Sequence, residues 1–248
     1  MKSQYVGDIG DYGKYSLLRA FSNASVKIGV NWYLTEDDGS NDGRFTEYLN
    51  KKEKFRGYDP EVFDTLKKIA TKKDKSVQDI EHGGIIPNAV FYSKVLSLKG
   101  KPSDRKEKRN LWFANSITAL RSADLIFMDP DNGLLVDTNI NKLGAEKYIL
   151  PKEVKEYFMA GHNVVYYCHK GRRSLPKWLD YKSFMFNVIP EAIPAVLTFH
   201  KGTQRSYIFL IHEKDIAKYR EIINKVKDRW IQVYTEEYTD KGDEIYDR

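Results

Sequence analysis

Residues 124–133 read Asp-Leu-Ile-Phe-Met-Asp-Pro-Asp-Asn-Gly. Four consecutive apolar residues, Leu125 to Met128, halt abruptly at two acids, an amide and a glycine. A short apolar run bounded by turn residues predicts a buried strand. A strand that empties into side chains rich in oxygen predicts a working loop at its carboxyl end. Two other stretches repeat the pattern. Ile28 to Leu34 (IGVNWYL) runs into Thr-Glu-Asp-Asp-Gly-Ser-Asn-Asp-Gly at 35–43, and Asn163 to Cys168 (NVVYYC) runs into His-Lys-Gly-Arg-Arg at 169–173.

Helical patterns alternate with these strands. Tyr15 to Phe21 reads as a short helix, Trp112 to Leu120 as another, and Pro151 to Ala160 as an amphipathic one stopped by Gly161. Trp178 to Val188 and Glu213 to Trp230 follow. Ala195 to His200 and Ser206 to His212 have hairpin spacing. The expectation is an α/β, Rossmann-like fold: a mostly parallel sheet flanked by helices, with a C-terminal β-hairpin whose antiparallel strand lies near the edge. A single domain is expected, with a helical, basic insertion at about 51–110 and a first-turn proline at Pro60. The acidic tail after Tyr234 is expected to fray.

Composition narrows the function classes. The single cysteine, Cys168, excludes an internal disulfide or a multi-cysteine zinc site. Met1-Lys2-Ser3-Gln4 leads into a polar motif, so no signal peptide is expected. No apolar run reaches the roughly 20 residues that span a bilayer. A cytoplasmic protein that does not enter a membrane is the expectation. Net charge is +6, with the excess in Lys51–Arg56, Lys67–Lys75, Lys99–Arg109 and Lys170–Arg173. Each run alone reads as a solvated face; together they favour an anionic partner, with nucleic acid first.

The acids carry the chemistry. Asp129, Asp131 and Asn132 can accept a substrate N–H, bind a metal or act as a base. Asp37, Asp38 and Asp42 sit with Gly39 and Gly43, glycines that allow close backbone approach to a ligand. The four carboxylates between Glu36 and Asp42 would repel phosphate, so a cosubstrate with cationic or hydroxyl groups, or a metal, suits that loop. Gly7 to Lys14 (GDIGDYGK) places Asp8 or Asp11 as a helix N-cap, or else forms a substrate loop with Lys14 on an anion. His169 with Lys170, Arg172 and Arg173 suits phosphate contact or acid–base work. His200 and His212 read as structural.

At DLIFMDPDNG the chain resembles the fourth motif of class I S-adenosylmethionine-dependent methyltransferases, an apolar strand ending in Asp/Asn-Pro-Pro-aromatic. The closing hairpin is similar to that superfamily's last two strands. The opening GDIGDYGKYSLLRAF resembles the ribosomal-RNA adenine-N6 methyltransferases and the three-Cys-motif partner proteins. The resemblance implies that Asp129 and Pro130 match the catalytic Asp-Pro, and that Asp37–Gly43 takes the S-adenosylmethionine loop position. Asp131 stands at the second proline and Asn132 at the aromatic. The implied function is a nucleic-acid-modifying methyltransferase, with Asp129 orienting the acceptor and Lys14, Lys170, Arg172 and Arg173 meeting phosphates. Two alternatives remain open. One is a metal-dependent nuclease or phosphodiesterase in which Asp37 or Asp38, Asp129 and Asp131 hold Mg²⁺ and His169 assists; the other is a non-catalytic nucleic-acid-binding protein.

Overall fold

The computed structural model describes residues 1–36, 45–136 and 144–237. The first helix, α1 (Ile9–Asn23), starts six residues earlier than its apolar run. The cause is local: Asp8 caps it, its Oδ1 accepting the Gly10 N–H at 2.8 Å, while Asp11 Oδ2 accepts the Gly7 N–H at 3.0 Å. Strand β1 (Ile28–Asn31) follows. Short helices α2 (Lys52–Phe55), α3 (Pro60–Ala70) and α4 (Val77–His82) come next. Pro60 opens α3 behind an Asp59 cap. Then come β2 (Val90–Tyr92), α5 (Pro102–Leu120) and β3 (Leu125–Met128). The second half runs α6 (Pro151–Met159), β4 (Asn163–His169), α7 (Leu175–Val188), β5 (Ile193–Phe199), β6 (Arg205–Ile211), α8 (Ile216–Arg229) and β7 (Tyr234–Glu237).

The strands form one mixed sheet in the order β2-β1-β3-β4-β6-β5-β7. β1, β3 and β4 are adjacent and parallel, with Val30 beside Phe127 and Phe127 beside Val165. That is the arrangement expected of the three runs that end in polar motifs. The hairpin is also present, β5 against β6. The structure departs from the expectations at three points. The antiparallel content is larger than one strand: β6 runs against β4 and β5, and β7 adds a further antiparallel edge on β5. The acidic segment Tyr234–Glu237 lies in that edge, with Lys182 on Glu237 and Lys227 on Glu236 at 2.6 Å, and the rest of the tail expected to fray, residues 238–248, lies outside the described residues. The stretch read as an insertion supplies helices but also β2, which pairs parallel with β1. Its Phe55, Val62, Phe63, Leu66 and Ile69 pack in the same core as Ile28 and Val30.

Helices cover both faces. Leu125 and Phe127 face α1, α3, α4 and α8, whereas Ile126 and Met128 face α5, α6 and α7. Every residue of β3 is therefore buried, as alternation requires of a central strand covered on both sides. Among the described residues no helix is long and apolar enough to cross a membrane.

The chain leaves β1 for β2 on one side, then returns to β3 on the other. Ligands in open α/β sheets bind beyond the carboxyl ends of the strands where the order reverses in this way. Here that end is built from the residue after β3, the last residue of β4 and the first of β6.

Candidate active site

A pocket of about 330 Å³ opens at this end of the sheet, within the 300–1,000 Å³ range of small-molecule sites. Asp129, Pro130, Asp131 and Asn132 line it from β3, His169 and Tyr167 from β4, and Arg205 and Tyr207 from β6. Asp8, Gly10, Asp11 and Lys14 line it from the first two turns of α1. Lys14 and Asp129, 115 positions apart in sequence, and Asp8 and Arg205, 197 apart, thus share one cavity wall, because α1 packs its N-terminus over the ends of β3 and β6.

Asp129 is held rigidly. Its N–H donates to Asn31 O at 2.9 Å, and its carbonyl accepts from the Met1 amino group at 3.0 Å. Lys14 Nζ lies 2.8 Å from Asp129 Oδ2 and 2.8 Å from Asp11 Oδ1, all three side chains being buried. Burial pushes the Asp129 carboxyl above its ordinary pKa, and Lys14 and the Met1 amino group draw it back. For Lys14, burial works against the charge, but Asp11 and Asp129 outweigh it and hold the ammonium well above the usual lysine value. Lys14, read from the sequence as a phosphate contact, is therefore a buried counter-ion. A desolvated cation with two carboxylates has no charge left over for a phosphate.

Asp131 Oδ1 lies 2.8 Å from the Met1 amino group, and its Oδ2 accepts from Thr35 Oγ1 at 3.2 Å. Asn132 is half-buried, with its N–H on Lys147 O. Gly133 closes the loop at φ +89°, and a Cβ there would stand 2.6 Å from Tyr181 Oη and 2.8 Å from Cys168 Cβ. Only glycine satisfies both the left-handed backbone and the space. Cys168 is buried against this turn, its thiol pushed far up by burial.

Arg205 lines the same pocket, although nothing in the sequence singled it out. Its Nη2 meets Asp8 Oδ1 at 2.7 Å, and it passes so close to α1 that a Cβ on Gly10 would collide with the guanidinium. The hydroxyl of Tyr167 is pushed up to about 12 by burial, with Arg205 pulling it down, so it remains a donor at neutral pH. Among the described residues that line the pocket, the formal charges are four carboxylates, Asp8, Asp11, Asp129 and Asp131, against Lys14, Arg205 and the Met1 amino group. The interior carries surplus negative charge, which suits a cationic or N–H-donating ligand.

His169 lines the pocket with Nδ1 buried and without a hydrogen bond among the described residues. Burial lowers its pKa, as do Arg173 and Arg205, while Asp131 opposes them. The imidazole is neutral at pH 7 and can exchange a proton with a ligand. Its folded pKa lies below the unfolded value of about 6.5, so the unfolded chain binds the extra proton first. Stability should fall as pH drops below that value, by up to about 1.4 kcal/mol per pH unit from this group. Urea denaturation between pH 7 and 5.5 tests this: His169→Gln should show the shallower decline, and parallel curves would exclude the effect.

Beyond His169 the turn carries Lys170 (half-buried), Arg172 (exposed) and Arg173. Arg173 is engaged: its Nη1 donates to His169 O at 3.2 Å, and its guanidinium covers the Tyr181 ring at 4.1 Å. Register brings the hairpin turn alongside, because His169 pairs with Arg205. Lys201 lies in that hairpin turn, at the same end of the sheet as Lys170 and Arg172, with its carbonyl 3.4 Å from Arg205 Nη1. His200 and His212 sit outside the pocket, bonded to Thr235 Oγ1 and His162 O.

Asp37, Asp38, Gly39, Asp42 and Gly43 lie outside the described residues. Among the described residues no group of three or more His, Cys, Asp or Glu is placed to hold a metal ion. Asp129 and Asp131 each face an amino group at 2.8 Å, so Mg²⁺ would have to displace two cations to use them together. The described donor set does not fit a magnesium centre. No known protein family and no curated protein matches the chain.

Proposed function

We propose that the protein is a Rossmann-like, S-adenosylmethionine-dependent methyltransferase that modifies nucleic acid. The observation that carries this reading is the Asp129–Asn132 loop, which leaves the buried strand β3 and lines an acidic pocket with the first turns of α1. The reversal of strand order beside β3 supports it, and so does the closing hairpin whose return strand β6 lies against β4. S-adenosylmethionine supplies an electrophilic methyl group, and its positive sulfonium and ammonium groups suit the surplus carboxylates. Lys14 holds one oxygen of Asp129, leaving the other to accept a hydrogen bond from the acceptor's amino group. Neutral His169 is placed to take up a proton from the acceptor. Lys170, Arg172 and Lys201, all at this end of the sheet, are suited to phosphates.

A ligand-stabilisation experiment tests the reading. S-adenosylmethionine at about 100 times its Kd should add about 2.7 kcal/mol to the unfolding free energy. Stabilisation by Mg²⁺ alone would favour the nuclease alternative and contradict this one. The acceptor has its own test. Lys170→Ala and Arg172→Ala should each reduce the slope of log affinity against log salt for an oligonucleotide by about one. An unchanged slope would remove these two residues from the binding surface.

A further inference from the structure

Phe45 is the one exposed large hydrophobic residue among those described that lines the pocket: the residue is 59% exposed, whereas Val95, Leu111, Val136, Met159, Leu175 and Ile231 lie elsewhere. Its backbone is fixed on both sides. The Phe45 N–H donates to Asp8 Oδ2 at 3.2 Å, and its carbonyl accepts from Ile9 N–H at 3.1 Å. The ring is thus bare while its attachment is tied to the cap of α1, the same cap that Arg205 holds through Asp8. No stacked or edge-on aromatic partner covers it within the described residues, in a molecule where most aromatic rings pack on one another.

We infer that the Phe45 ring is a stacking platform for a nucleobase at the mouth of the pocket. Stacking needs an exposed π face held in place, and such a face selects planar rings without reading sequence. Carboxylates lie deeper in the same cavity, at Asp8, Asp11 and Asp129, and can accept hydrogen bonds from an amino group carried by that ring. The inference rests on the reading of the pocket as a nucleotide-handling site. The base can belong to the acceptor strand or to the adenosine of the cosubstrate, and the two sources are separable.

Phe45→Trp provides the reporter. The four native tryptophans, Trp32, Trp112, Trp178 and Trp230, are each at most 7% exposed, so the new indole dominates the accessible fluorescence. The variant is titrated with a short single-stranded oligonucleotide, with the matching abasic sugar–phosphate strand, and with S-adenosylhomocysteine. Quenching by the oligonucleotide but not by the abasic strand supports stacking on the acceptor. Quenching by S-adenosylhomocysteine alone supports stacking on the cosubstrate. In parallel, Phe45→Ala should weaken binding of the quenching ligand by about 5- to 150-fold, and Phe45→Tyr should restore it. An exposed side chain leaves the melting temperature unchanged in all three variants, which confirms that folding is intact. No quenching by either base-bearing ligand, or equal quenching by the abasic strand, overturns the inference. Thermal stabilisation by S-adenosylmethionine, recorded on the unaltered protein, judges the methyltransferase reading separately. Base-dependent quenching without it would sink that reading and leave the stacking platform standing.

Discussion

Replacing Arg109 with Ala is expected to cost about 3–5 kcal/mol of stability, because it breaks a fully buried ion pair. Arg109 is 1% exposed and Glu153 not at all. Arg109 Nε and Nη2 meet Glu153 Oε1 and Oε2 at 2.7 and 2.9 Å, and Nη1 and Nη2 donate to the carbonyls of Ala145 and Tyr148. Glu153 Oε2 also accepts from Tyr33 Oη and from Leu150 N–H, each at 2.9 Å. The network joins α5, the start of α6 and the segment leaving β1. Tyr33 in that segment adopts φ +43°, a costly conformation for a bulky residue that these partners stabilise. Removing the guanidinium strands a buried carboxylate and two carbonyls. Replacing both Arg109 and Glu153 with apolar residues of similar volume should recover much of the loss, since the desolvation cost goes with the pair. Urea denaturation at pH 7 measures both. A loss under about 1 kcal/mol for Arg109→Ala would mean that Glu153 is solvated.

Arg109 also shows where sequence reading stops. It ends a basic run, Lys99–Arg109, whose other members are indistinguishable from it in composition. Only the packing of α5 against α6 separates this arginine from its solvated neighbours. Lys14 is the same case, a lysine in a polar motif that tertiary contacts bury between two carboxylates. What was legible had a local cause. β1, β3 and β4 are continuous apolar runs, and their polar ends mark the working edge of the sheet. The β5–β6 hairpin follows from spacing alone. β2 is only three residues long among polar neighbours, and β7 reads Tyr-Thr-Glu-Glu, so neither carries a local signal. Arg205 is placed in the pocket by β6 inserting beside β4, a pairing between positions 36 residues apart at His169 and Arg205. Phe45 reaches the pocket through Asp8, a contact over 37 residues.

Under the proposed function, Asp129→Asn is expected to lower methyl transfer by on the order of 100-fold or more, the span lost when a preorganised hydrogen-bonding group at the reacting centre is removed. Asparagine keeps the size and the backbone contacts to Asn31 and the Met1 amino group, so the loop should hold its shape. It removes the charge that faces Lys14, and it can present an amide N–H where the acceptor needs an oxygen. S-adenosylmethionine binding should change little, because Asp8, Asp11 and Asp131 remain. The most direct measurement is transfer of a labelled methyl group from S-adenosylmethionine to single-stranded and duplex RNA and DNA, with calorimetric titration of the cosubstrate into the native protein and Asp129→Asn. The expected result is transfer by the native protein, loss of transfer in Asp129→Asn and near-equal cosubstrate affinity in both. Absence of cosubstrate binding by the native protein, or full transfer by Asp129→Asn, would contradict the assignment of this pocket as a methyltransferase site.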